Sequence, residues 1–160
     1  TPSSRGLGDV YKRQLLYISK VNQKLSSIES DLLKRISGPI EIQLHNLKSK
    51  RKHDCIDKQL DFEANLIEKK LKNKSCYFCF DHTGKKVQTS DFLNLILKYN
   101  QNLSLVIGSN EGISNGMKEK AIEVISFSDM VFSNGIFRLM VLEQLYRANC
   151  IMTNHPFHKN

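Results

Sequence analysis

Residues 103–114, LSLVIGSNEGIS, join an apolar run to a glycine-bounded loop and then to a polar stretch of helical type. Leu103 to Ile107 is a short, mostly apolar run of strand type. Gly108 and Gly112 suit a tight turn that leaves the strand and enters a helix. A strand, a glycine loop and a helix in that order often hold a nucleotide or a related cofactor at the carboxyl end of a parallel sheet. The loop is G-x-x-x-G, however, and lacks both G-x-G-x-x-G and the Lys-Ser/Thr of a phosphate-binding loop. It also follows the fourth strand, and the turn after the first strand, SKVNQK, has no glycine. A dinucleotide site is disfavoured, and a purely structural turn stays open.

Outward from this stretch, strands alternate with helices. Leu15 to Ser19 has strand character, and residues 22–36 place Leu25, Ile28, Leu32, Leu33 and Ile36 at helical spacing. Ile40, Ile42 and Leu44 alternate with polar residues as a half-exposed strand does. A basic polar loop covers about 45 to 55, and Leu60, Ala64, Ile67 and Leu71 mark a second helix. CYFCF (76–80) reads as a strand followed by the turn DHTGKK. Ser90 is placed as the N-cap of a helix carrying Phe92, Leu93, Ile96 and Tyr99. Asn115 to about Ala121 is a short helix, Val124 to Phe127 a fifth strand, and Gly135 to Met152 a long helix. Strands separated by helices at this spacing imply one α/β domain with a parallel sheet covered on both faces.

The first fourteen residues, TPSSRGLGDVYKRQ, resemble vector or adapter sequence and are set apart as a non-native leader, leaving 15–160 as the domain. They hold Arg5, Lys12, Arg13 and Asp9, so setting them aside takes the net charge from +8 to +6. The balance stays basic, which favours polyanionic partners such as nucleic acid, although an AT-rich genome also yields such a Lys-rich composition. With 40% hydrophobic and 25% charged residues the chain is globular. No apolar run approaches the roughly 18 residues of a membrane span, so no membrane role is expected. A reducing, cytoplasmic setting is the default for four cysteines at these spacings.

Cys76-x-x-Cys79 lacks the second ligand pair that zinc needs, and residues three apart in a strand face opposite ways. Two buried cysteines and no metal are expected. The helix 135–152 is apolar nearly all round, as a helix in a core or at a subunit interface is. Glu143 and Arg147 can pair within it at i,i+4; Arg138 is left without an obvious partner. His155 and His158 flank Phe157 in a tail that suits metal, acid–base or RNA contacts, or plain fraying.

Four segments, LVIGSNEGIS (105–114), SFSDMVF (126–132), RLMVLEQLYRA (138–148) and NHPFHKN (154–160), follow one another in a specific order and spacing. In this the chain closely resembles the RlmH family of SPOUT-class methyltransferases, which act on N3 of a pseudouridine in large-subunit (23S) ribosomal RNA. The resemblance runs from about Leu15 to the last residue and is most specific in the final sixty. It implies a C-terminal trefoil knot, a homodimer, S-adenosylmethionine as methyl donor, and the assembled ribosome as substrate. Cofactor contacts carry over to Phe80, Gly108 and the run Phe127, Ser128, Asp129, Met130, Val131, Phe132. The tail residues His155, Phe157 and His158 are implied to lie near the active site. Arg138 is a candidate phosphate anchor or stabiliser of developing negative charge.

The chain departs from the family's pattern in three places. Ser109 stands where the family has a second glycine, Ser133-Asn134 where it has Pro-His, and Phe157 where it has Tyr. These departures motivate an alternative from another class, an RNA-binding homologue without turnover, which the basic run KSKRK (48–52) would serve equally well. A small-molecule cofactor module with no RNA partner is a third option. The same basic run is in the bland case a solvated loop.

Overall fold

The computed structural model describes residues 10–19, 23–72, 76–99 and 102–157. The element order is β1 (Tyr11–Ile18), α1 (Gln23–Arg35), β2 (Ile40–Leu47), α2 (Ile56–Leu71), β3 (Cys76–Lys86), α3 (Thr89–Lys98), β4 (Leu103–Ile107), α4 (Asn115–Lys120), β5 (Glu123–Ser126) and α5 (Asn134–Met152). All pairings are parallel, and the sheet runs β2-β1-β4-β3-β5. The α/β expectation holds, with β4 at the centre and buried at all five positions.

The two faces of the sheet carry separate cores. Leu15, Tyr17, Phe78, Leu103 and Leu105 join residues of α3 and α5 on one face, with Leu32 and Leu33 of α1 packed against them. Leu16, Ile18, Tyr77, Cys79 and Val106 join Ile67 and Leu71 of α2 and Met117 of α4 on the other. Burial of each such large apolar side chain contributes roughly 1.5–3 kcal/mol. Period-two alternation therefore explains why the two cysteines diverge: Cys79 is buried in the second core, while Cys76 is only half-buried and packs on the first.

Several boundaries differ from the sequence expectation. β1 starts at Tyr11 rather than Leu15, so four residues of the segment set apart as a leader form ladder pairs with β2. Arg13 is 1% exposed there. Its guanidinium donates to the Ile96 carbonyl at 2.9 and 3.2 Å and to the Tyr99 carbonyl, groups left open where α3 ends. Periodicity misses this because an arginine in a strand ordinarily marks an exposed face. The N-cap of α3 is Gln88 rather than Ser90: the Asp91 carboxylate accepts from the Gln88 N–H at 2.9 Å, closing the first turn two residues earlier. β2 runs on to Leu47, into the stretch expected to be loop.

β3 also continues past Phe80. Ile125 of β5 faces both Phe80 and Lys85, so the intervening residues bulge out of the ladder. This puts Asp81 and His82 at the carboxyl end of the sheet.

Helix α5 is fixed at its far end by Asn149, 3% exposed. The Ile40 N–H donates to Asn149 Oδ1 at 2.7 Å, and Asn149 Nδ2 donates to the Ile40 carbonyl at 2.9 Å. One side chain thus satisfies both main-chain groups where the edge strand β2 begins. Leaving those groups buried and unpaired costs about 1–3 kcal/mol each. Asn149→Ala is expected to lower unfolding free energy by about 2–5 kcal/mol, seen as a lower urea midpoint with loss of exchange protection at the Ile40 amide.

Candidate functional site

The carboxyl ends of β3, β4 and β5 open into a cavity of about 210 Å³. Its floor is apolar: Ile107, Ile125, Phe80 and Phe137. Phe80, Phe127 and Phe137 stack edge to face or tilted at 5.3–5.6 Å between centroids. Such pairs each add roughly 0.5–1.5 kcal/mol beyond area burial, so the floor is rigid. The walls are two main-chain segments, the glycine loop 108–112 and residues of the stretch 126–132 at and after the end of β5, Asp129 excepted.

Gly108 is required by space. A Cβ there would lie 2.3 Å from the Gly112 carbonyl oxygen and 2.5 Å from Ile113 Cγ1. Gly112 has φ +97°, a conformation that L side chains rarely adopt. Between them the Gly112 N–H donates to the Ser109 carbonyl at 2.9 Å, and the Glu111 N–H lies 3.4 Å from Ser109 Oγ. Ser109 therefore tightens the loop in place of a second glycine. Ser114 caps α4 by accepting from the Met117 N–H at 3.2 Å.

Asn134, the first residue of α5, ties these pieces together. Its Nδ2 donates to the Ile18 carbonyl at 2.9 Å and the Gly108 carbonyl at 2.5 Å, and its N–H donates to Asn110 Oδ1 at 3.1 Å. On the other side of the loop lies a wider cleft, about 820 Å³, which shares Ser109, Asn110, Glu111 and Asn134 with the first cavity.

Two carboxylates, Asp81 and Glu111, line the smaller cavity, and no Lys or Arg does among the described residues. Burial pushes the Asp81 carboxyl up, but two hydrogen bonds from Thr83 and the Lys118 ammonium at 3.4 Å outweigh it and hold the group below its ordinary value. Each carboxylate is paired with a cation from outside the lining, Asp81 with Lys118 at 3.4 Å and Glu111 with Arg51 at 2.5 Å, so toward a ligand they are hydrogen-bond acceptors. An apolar slot, glycine-thinned main chain and a carboxylate at the rim fit the adenine, main-chain contacts and sulfonium or ammonium of S-adenosylmethionine.

Of the positions expected to meet a cofactor, Phe80, Gly108, Phe127, Ser128, Met130, Val131 and Phe132 line this cavity. Asp129 does not. Its carboxylate is 79% exposed and pairs with Lys86 at 2.5 Å on the outer side, a contact worth about 0–1 kcal/mol. Arg138, expected as a phosphate anchor, does not line this cavity but lines the wider cleft. Only 5% exposed, it donates to Glu29 Oε2 at 2.8 and 3.0 Å and to Ser19 Oγ at 3.2 Å, with its guanidinium 4.1 Å from the centre of the Tyr17 ring. It pins α5 to α1 and β1; breaking such a pair from one side costs about 3–5 kcal/mol.

His155 is exposed at the opposite end of α5 from the cavity, and its Nδ1 accepts from the Phe157 N–H at 3.2 Å. Phe157 folds back on Tyr146 at 4.6 Å and under Arg147 at 4.9 Å. Eighteen helical rises of roughly 1.5 Å separate Asn134 from Met152, so one chain does not bring its own His155 to its cavity. His158 lies outside the described residues. Asp81, His82 and Asn134 were not singled out from sequence as site residues. A polar pair directly after a buried strand is the signal that marks Asp81 and His82.

Among the described residues no group of three His, Cys, Asp or Glu could hold a metal ion, and no helix is long and apolar enough to cross a membrane.

A family model described as predicted SPOUT methyltransferase matches residues 11–158. A ribosomal RNA large subunit methyltransferase H from Pseudothermotoga lettingae is 28% identical over 150 residues, covering 92% of this chain and 99% of that protein. The protein of the same name from Clostridium botulinum strain Langeland is 30% identical over 155 residues, covering 91% and 98%. Among solved structures, a probable methylase family protein from Haemophilus influenzae superposes with a TM-score of 0.61 at 13% identity, over 94% of this chain and 71% of that one.

Gly108→Ala is expected to abolish binding of S-adenosylmethionine in a calorimetric titration, because the new methyl group has backbone within 3 Å. Gly116→Ala, with nothing within 4 Å, is expected to leave that binding intact and to raise stability by about 0.4–1 kcal/mol. Asp81 has a second consequence. Its carboxyl is depressed on folding, so its contribution is present above the ordinary value of 3.8 and fades as pH falls through the lower folded value. The stability gap between wild type and Asp81→Asn should be constant from pH 7 to 5 and shrink below about 4 in urea titrations.

Proposed function

The chain belongs to the SPOUT methyltransferase family, whose methyl donor is S-adenosylmethionine, and from that premise we propose that it methylates ribosomal RNA of the large subunit. The observation that carries this reading is the cavity at the ends of β3, β4 and β5, apolar at its base and walled by main chain thinned at Gly108 and Gly112. Such a cavity retains an adenine by burial and offers main-chain and carboxylate acceptors to the rest of the donor.

At finer grain we propose N3 of a pseudouridine in the assembled ribosome as the methyl acceptor, with the reaction in the cytoplasm. S-adenosylmethionine, when bound, supplies a methyl group that needs little covalent assistance. The chain's own share is positioning. The 108–112 loop and residues 126–132 set the donor's place, and Phe80, Phe127 and Phe137 keep water from the base of the site. N3 must also lose its proton, so a base or a cation near the acceptor assists.

His155 and His158 are the tail's candidates for that part, and we propose that they act from a second copy of the chain. Two observations favour a homodimer. His155 sits at the wrong end of α5 to serve its own cavity, and Met130, Val131 and Ile136 are 68%, 75% and 51% exposed beside that cavity, an apolar rim that a partner would cover. The C-terminal knot belongs to the same proposal. Arg138 enters it as a positioning residue for α5.

Single-turnover transfer from labelled S-adenosylmethionine to ribosomes lacking the modification tests this. Label on a pseudouridine of large-subunit RNA is the expected outcome. Donor binding without transfer would leave an RNA-binding relative lacking turnover.

A further inference from the structure

The wide cleft beside the donor cavity is lined by a different chemistry. Ser49, Arg51, Gln59, Glu63 and Ser19 contribute to it, together with the Ser109–Glu111 wall shared with the donor cavity. The basic run 48–52 borders this cleft, and it is built rather than merely solvated. Gln59, 3% exposed on α2, accepts from the Lys52 and His53 N–H groups at 2.9 and 3.1 Å. Its Nε2 lies 3.2 Å from the Lys50 carbonyl and 3.3 Å from Glu63 Oε1. Lys52 lies 4.7 Å from the centre of the Phe62 ring, and His53 meets the same ring edge on. The loop is thus wrapped around one buried amide, with Lys48, Lys50 and Arg51 exposed on its outer side.

Arg51 reaches across the mouth of the cleft. Its Nη1 lies 2.5 Å from Glu111 Oε1, although both side chains are substantially exposed at 53% and 30%. A carboxylate on a guanidinium occupies the geometry that an RNA phosphate would take. Glu63, 6% exposed with Oε2 unpartnered among protein atoms, lines the same cleft.

We infer that this cleft receives a nucleotide of the RNA substrate next to the methylated one, with its phosphate replacing the Glu111 carboxylate on Arg51. The inference rests on the methyltransferase reading and adds a substrate subsite to it. Because Glu111 lines both cavities, the exchange frees the donor-side loop at the moment RNA arrives. Arg51 is in this scheme a substrate-binding residue, and Glu111 holds its place in the absence of RNA.

The test uses the full chain, large ribosomal subunits lacking the modification, and no methyl donor in the binding assay. Arg51→Ala is expected to weaken subunit binding roughly tenfold or more and to reduce the slope of log affinity against log salt by about one. Its thermal midpoint is expected to stay at the wild-type value, since the Arg51–Glu111 pair is an exposed one. Glu111→Gln is expected to tighten subunit binding several-fold in the wild-type background and to have no such effect in the Arg51→Ala background. Wild-type affinity and salt slope in Arg51→Ala would overturn the inference, as would an equal gain from Glu111→Gln in both backgrounds. Those outcomes, with wild-type methyl transfer intact, sink the subsite alone; failure of the wild type to transfer would sink the methyltransferase reading with it.

Discussion

At the carboxyl end of a parallel sheet the last carbonyls have no ladder partner, and in a buried setting each must find a donor. Here a single amide meets two of them. Asn134 Nδ2 donates to Ile18 at the end of β1 and to Gly108 at the end of β4. The start of α5, two adjacent strands and the glycine loop are thereby one mechanical unit, and both cavities are built on its two sides. The family resembled in sequence has a histidine at this position; a neutral imidazole has only one N–H to give, whereas an amide has two on the same nitrogen. The substitution is therefore a change in how the strand ends are closed as well as a loss of an imidazole.

The remainder of α5 is held by contacts of unequal weight. The buried Arg138–Glu29 pair and the Asn149–Ile40 bridge each involve groups that would be costly to leave alone in the interior. The Glu143–Arg147 pair at 2.7 Å is partly exposed and contributes about 0.3–0.5 kcal/mol. The helix is thus clamped at Arg138 and Asn149, three turns apart. Its exposed Ile136 lies at the end nearest the donor cavity, where an association surface would have to be.

Charge is divided between the two sides of the Ser109–Glu111 wall. The chain carries +8 overall; no Lys or Arg lines the donor cavity among the described residues, while Arg51 and Arg138 line the wider cleft together with Glu63 and Glu111. A cationic methyl donor and a polyanionic acceptor make opposite demands on the same few ångströms of protein. One loop, thin enough at Gly108 to approach a ligand closely, keeps those demands apart.

The α/β class, the five strands and the glycine loop were legible in the sequence because burial imposes a period of two or 3.6 on any chain that folds this way. The Glu143–Arg147 pair was legible for the same local reason. The start of β1 at Tyr11 was not, since Arg13 is buried only by meeting the carbonyls that end α3, 83 and 86 positions away. Arg138 looked unpaired because its partner, Glu29, is 109 positions distant. Asp81 and His82 looked like turn residues until the slip of β3 against β5 placed them over the cavity. Local periodicity fixes which segments are strands and helices; which polar groups meet depends on strand order and register, and only the folded sheet sets those.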